Sequence, residues 1–153
     1  MASQWPVIVD RLLVLLPSLP GWSGVEVFDG PPVTSDTPAD FCTVGFVDSL
    51  DGVGDSNAGE YTKRDAVVDS MLDDLGSVRC QLTCVSGDVS QADVRARAFA
   101  LADALEASLR ADPRLGVLPI TSTTELGVQV LSIQNSAGAA QSLILVLTYF
   151  SRS

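Results

Sequence analysis

The stretch VRARAFALADALEASLRADPRLG, residues 94–116, decides the class of fold, because it reads as a complete helix with its stop signal attached. Val94, Ala98, Leu101, Leu105 and Leu109 recur at spacings of four, three, four and four, which puts them on one stripe of an α-helix. Ser90 and Asp93 resemble a capping box, with Asp in place of the usual Glu, so the helix is predicted to start at Ser90. Asp93–Arg97 and Glu106–Arg110 are acid-before-base pairs at i,i+4, each worth ~0.3–0.5 kcal/mol on a solvated face. Pro113 and Gly116 close the helix. One face is dry and the other wet. The helix, Ser90–Asp112, is expected to lie on a sheet.

The sheet can be traced outward from it. VRCQLTCV, residues 78–85, alternates Val78, Cys80, Leu82 and Cys84 with Arg79, Gln81 and Thr83, the period of a half-buried strand. Val25–Phe28 and Phe41–Val47 are further predicted strands, the second with Cys42, Val44 and Phe46 on one face. Arg64–Asp74 reads equally as helix or strand. Beyond the helix, Val117–Thr121, Val128–Ile133 and Ser142–Phe150 read as extended. LILVLTYF, residues 143–150, is apolar at both alternating sets of positions, so it needs cover on both faces. A helix layer can cover one, and a second layer or another subunit the other. Leu143, Leu145, Leu147 and Tyr149 are therefore candidate subunit-interface residues.

At the start of the chain, Ser3–Leu16 reads as a second main helix, with Ser3 as N-cap and Pro6 in its first turn. Ile8, Leu12, Leu15 and Leu16 form its stripe, Val9 and Leu13 widen it, and Pro17, Pro20 and Gly21 end it. The expectation is an α+β fold in the order α-β-β-β-α-β-β, a mostly antiparallel sheet with two main helices packed on it. With 153 residues, one domain spanning 1–153 is the simplest organisation.

The chemistry is limited by what is missing. The chain has no His, which removes the usual general base, the commonest metal ligand and any Ser-His-Asp triad. Lys63 is its only lysine, and the formal charge of −10 repels phosphates, so wrapping around nucleic acid is not expected. Cys80 and Cys84 lie ~13 Å apart along a strand, too far for a disulfide. With Cys42 they are expected to be reduced core residues, not a metal or redox site. The apolar run Trp5–Leu16 is broken by Asp10 and Arg11 and falls short of the ~20 residues a membrane span needs. It also lacks a basic leader, so it does not read as a signal peptide, and folding in the cytoplasm is the expectation.

Asp48–Lys63 reads as a polar loop carrying Gly52, Gly54 and Gly59, longer than a plain connection requires. Its acidic residues Asp48, Asp51, Asp55 and Glu60 are oxygen donors, but they miss the calcium-hand register. The glycines lack the Gly-Lys-Ser/Thr ending of a phosphate loop. Tyr61, Lys63 and Arg64 at its end are of the types that anchor interfaces. No catalytic residue, metal or cofactor is indicated.

Four segments carry a resemblance: TVGFVD (43–48), VRCQLTCVSGD (78–88), VRARAFALADALEASLRADPRLGV (94–117) and LVLTYFSRS (145–153). They resemble the small tail terminator, or tail completion, proteins of long-tailed phages with actinobacterial hosts, over a stretch from Trp5 to Arg152. The resemblance implies a structural virion protein of the neck, assembled in the host cytoplasm, with no enzymatic activity and no cofactor. Such proteins form a ring, typically a homohexamer, on the head-proximal end of the tail tube. The ring ends tube polymerisation and joins the tail to the head. Implied partners are further copies of the chain, the tail tube protein and a head-side connector protein. DNA passes through the lumen without specific binding, and no membrane is involved. The loop 48–63 has no counterpart in the resemblance; it would face either the lumen or the axial side of the ring. Two rival readings are another neck ring, a head-closure or connector protein, and a small ligand-binding domain with a deep polar pocket.

Overall fold

The computed structural model describes residues 3–31, 40–47, 58–65, 72–86, 90–131 and 139–152. Its long helix, α2, runs Gln91–Ala111 and buries Val94, Ala98, Leu101, Leu105 and Leu109, the predicted stripe, together with Ala102. Ser90 caps it: the hydroxyl accepts from the Asp93 amide at 3.3 Å and donates to the Asp93 carboxylate at 3.0 Å. The Glu106–Arg110 pair forms at 2.8 Å. Arg97, however, does not turn to Asp93. It reaches Asp40 at 2.7 Å, on a strand 57 residues away in sequence. The Asp40 side chain is only 14% exposed, so the attraction there is less screened than on the solvated helix face.

The first helix, α1, runs Trp5–Leu15, and Leu16–Ser18 continues it as a 3-10 turn. Ser3 is not its N-cap. Gln4 occupies that position without a side-chain bond, and a carboxylate from the sheet takes over. The amide of Gln4 and the hydroxyl of Ser3 both donate to Asp74, which places a negative charge at the positive end of the helix.

Six strands form one sheet: β1 (Glu26–Asp29), β2 (Asp40–Val44), β3 (Gly59–Asp65), β4 (Leu72–Ser86), β5 (Thr123–Leu131) and β6 (Ala139–Arg152). The order is β1-β2-β4-β6-β5, with β3 also paired to β4. All pairings are antiparallel except β1–β2. The fold is α+β, as expected, but a fourth strand precedes α2. Residues 59–65, assigned in part to the polar loop, are β3, and β4 begins at Leu72 within the segment that read equally as helix or strand. GEYTKRD lacks apolar alternation because Glu60, Tyr61 and Thr62 are all exposed; pairing with β4 holds it in place, not burial. Val117–Thr121 is a turn, not extended chain. Leu115 has a φ of 57°, the Ser122 amide bonds to the Pro119 carbonyl, and β5 starts only at Thr123.

β2 and β3 run in tandem along the same edge of β4, β2 against Cys80–Cys84 and β3 against Leu72–Val78. Their facing ends meet at Arg79, whose carbonyl accepts from Gly45 and whose amide donates to Ala58. The approach is close enough that a Cβ on Gly76 would stand 2.0 Å from the Glu60 carbonyl oxygen. Both helices pack on one side of the sheet, α1 on β4 and α2 on β6 and β4. The core lies between, around Trp22, whose indole N–H donates to the Leu101 carbonyl at 3.0 Å.

Candidate docking surfaces

Successive residues of a strand point to opposite faces. On β6 the positions 143, 145, 147 and 149 face the helices, so the residues assigned to a subunit interface sit elsewhere. Leu143, Leu145, Leu147 and Tyr149 are at most 2% exposed and belong to the core cluster of the monomer. No second copy can reach them. The correction follows from parity: both faces of this strand are apolar, and the helices took the odd-numbered one.

Tyr149 also ends in a polar cluster, with its hydroxyl 3.2 Å from Asp74, beside Ser3. Burial first, opposed by the Ser3 hydrogen bond and reinforced by the Asp74 charge, pushes Tyr149 up to about 12. The three cysteines are buried free thiols. Burial raises Cys80 to about 12 and Cys84 to about 11, and it raises Cys42 together with the neighbouring sulfurs. Thiols held this far from the thiolate form are poor nucleophiles. Among the described residues no three His, Cys, Asp or Glu side chains gather as a metal site, and no helix is long and apolar enough to cross a membrane.

Among the described residues the even-numbered face of β6 carries no helix, and it has two ends of different character. At one end Ser142 and Ile144 are buried, with Ser142 bonded to Gln81 at 3.0 Å and to Thr83 at 3.1 Å. At the other end the face opens into a groove of about 630 Å³ crossing from β3 to β5. Leu75, Val146 and Phe150 give it an apolar lining, and Glu60 and Glu125 stand at its sides. Two residues beyond Phe150 on β6, Arg152 is held by Asp73 through contacts of 2.7 and 3.1 Å and lies 5.8 Å from the Phe150 ring centre.

The second open surface is the edge strand β5. Among the described residues no strand pairs with its outer side. Its register with β6 is unbroken from Thr123 to Leu131, so no bulge interrupts it. Val128 and Val130 lie opposite Leu145 and Leu143, on the helix side, yet they are 41% and 56% exposed, while α2 packs mainly on β6 and β4. Phe99, on the flank of α2 two turns ahead of Glu106, is exposed as well, and Glu106 borders a cleft with Leu126 of β5.

Of the remaining sequence-predicted residues, Glu60 and Tyr61 are exposed on β3 and Lys63 is half-buried there. Glu60 alone joins the groove. Arg64 is in β3 by its backbone pairing with Asp73, and its side chain lies outside the described residues, as do Asp48, Asp51 and Asp55. Sequence reasoning missed Glu125, Val128 and Val130. The absence of Lys and Pro from TTELGVQVL is the signal that could have marked an unprotected edge.

No protein-family model matches this chain, and no curated protein is significantly similar to it. The surfaces have to be read from their own chemistry.

Proposed function

We propose that this protein is a structural virion subunit that forms a ring on the head-proximal end of a phage tail tube, ends its polymerisation and joins tail to head. The observation that carries the reading is the open edge of β5. A strand of nine residues whose outer edge is unpaired among the described residues, with no Lys, Pro or bulge and with exposed valines, is a template for association. Joining that edge to a different surface of the next copy is a heterologous contact, which closes into a ring when the rotation permits. The four resembling segments favour a tail terminator among such rings. The charge of −10 suits a protein bordering a DNA channel, since it repels phosphate and prevents adhesion. Its partners in this reading are its own copies, the tail tube protein and the head-side connector.

The test combines sedimentation and electron microscopy of the protein alone and with the tail tube protein of the same phage. Rings that bind tube ends and halt tube growth are expected. Val130→Lys, at an exposed edge position, is expected to abolish the ring while leaving the melting temperature nearly unchanged. Rings that bind only portal-side proteins would reassign the protein to another place in the neck. A monomer with no affinity for tube ends would overturn the reading.

A further inference from the structure

We infer that the groove on the helix-free face is a docking site for a cationic polypeptide segment of a partner protein, gripped at two points by Glu60 and Glu125. The sheet register builds the site. Glu60 pairs with Ser77, Ser77 with Thr148, and Thr148 with Glu125, so one row crosses four strands as carboxylate, hydroxyl, hydroxyl, carboxylate. The next row on the same face is Thr62, Leu75, Phe150 and Thr123, apolar in the middle and polar at both ends. A guest side chain between the two grips therefore meets Leu75 and Phe150, while the guest's ends meet negative charge.

Both carboxylates are exposed, and among the described residues neither has an ion-pair partner. Among the described side chains, the cations on this face are already engaged: Arg152 by Asp73, and Arg79 in contacts of its own. The groove thus offers two negative charges, without an ion-pair partner among the described residues, beside an apolar floor.

The spacing defines the guest. Three inter-strand steps separate Glu60 from Glu125, ~14 Å at ~4.8 Å per step. An extended chain covers that distance in about four residues at ~3.4 Å each. The fitting segment carries two basic side chains about four positions apart, with an apolar residue between them. A single divalent cation cannot bridge carboxylates so far apart. Nucleic acid and anionic lipid are repelled. A second copy of this chain, at −10, brings the wrong sign. A basic segment of a different protein fits.

The test uses the full chain and fluorescent decapeptides. The probe contains Arg-Thr-Leu-Thr-Arg; one control replaces both Arg by Glu, and another places the two Arg side by side. The probe is expected to bind with an affinity that falls as salt rises, the side-by-side control more weakly, and the Glu control not at all. Glu60→Gln and Glu125→Gln should each weaken the probe about two- to fivefold, the range of an exposed ion pair. Thr148→Lys, which sets a cation in the middle of the row at an exposed position, should weaken it more than either. No binding, equal binding of the Glu peptide, or an affinity unchanged in the Glu60→Gln/Glu125→Gln double variant would overturn the proposal. So would a groove occupied by a second copy, visible as self-association that Thr148→Lys removes. The inference stands apart from the ring reading. A ring that ignores the probe defeats this proposal alone, and a monomer that binds it defeats the ring alone.

Discussion

The two faces of β6 differ little in sequence and greatly in fate. Leu143, Leu145, Leu147 and Tyr149 lie under the helices, while Val146 and Phe150 are half-buried and Thr148 is exposed on the other side. Apolar content alone does not say which face a protein keeps for itself. Parity decides, since a shift of one residue exchanges every side chain between the faces. Here parity is set by contacts distant in sequence: the helices close over the odd-numbered side, and the register with β4 and β5 assembles the groove on the even-numbered one.

Two substitutions three residues apart break or sharpen that contrast. Leu145→Asp places an unpaired charge under α2 and is expected to cost about 4 kcal/mol, enough to leave little folded protein. Thr148→Asp, on the open face, should stay within ~0.5 kcal/mol. Equal losses in thermal melts would mean that the helix-free face is covered after all.

The same contrast governs what can be read from the chain. The stripe of α2 was legible because its neighbours recur at helical spacing within one segment. Its Ser90 cap was legible for the same reason. β3 was not, because GEYTKRD holds its place through a partner strand and exposes much of its length. The pairing of Arg97 with Asp40, and the row from Glu60 to Glu125, depend on register between segments far apart in sequence. Local periodicity carries no information about them. The sequence of Leu143 to Tyr149 shows a need for cover, and packing makes the choice between a helix and a neighbour.

Asp74 tests how far the sheet supports the N-terminus of α1. Its carboxylate takes hydrogen bonds from Ser3, the Gln4 amide and Tyr149 while only 6% exposed. Asp74→Ala leaves those donors without their acceptor and should cost about 2 kcal/mol by thermal or urea unfolding. Asp74→Asn, which keeps an acceptor, should recover part of the loss. If both variants melt like the wild type, α1 does not depend on this cap.

Alkali should loosen the covered face first. Burial raises the folded Cys80 thiol from an ordinary 9.0 to about 12, so the folded state holds a proton that the unfolded chain releases sooner. The stability from this group is fully present below about pH 9 and is lost as pH rises through the folded value. At pH 10 that is about 1 kcal/mol from Cys80 alone. Cys84, raised to about 11, and Tyr149, raised to about 12, act with the same sign. Urea midpoints should be level from pH 7 to about 9 and fall above it, and three free thiols should titrate in the unfolded chain without reductant. A midpoint that rose between pH 9 and 11 would contradict the burial of the thiols.

The smallest effect separates the two arginine pairs of α2. Arg110 reaches Glu106 at 2.8 Å with both side chains well exposed, so Arg110→Gln should change stability by ~0.3–0.5 kcal/mol and the change should vanish at high salt. Arg97 is different. It ties the helix to β2 through Asp40, at 2.7 Å, and its side chain also approaches the Val85 carbonyl at 3.4 Å. Its exposure of 38%, against 14% for Asp40, leaves the pair partly screened, so a cost of about 1 kcal/mol is expected for Arg97→Gln. That loss should persist in salt, because Asp40 remains largely shielded without its partner. A double-mutant cycle with Asp40→Asn should return a coupling energy for Arg97 larger than the one Glu106→Gln returns for Arg110. Equal couplings would mean that the contact from α2 to β2 is no stronger than a surface pair, and that the helix is held to the sheet by its apolar stripe alone.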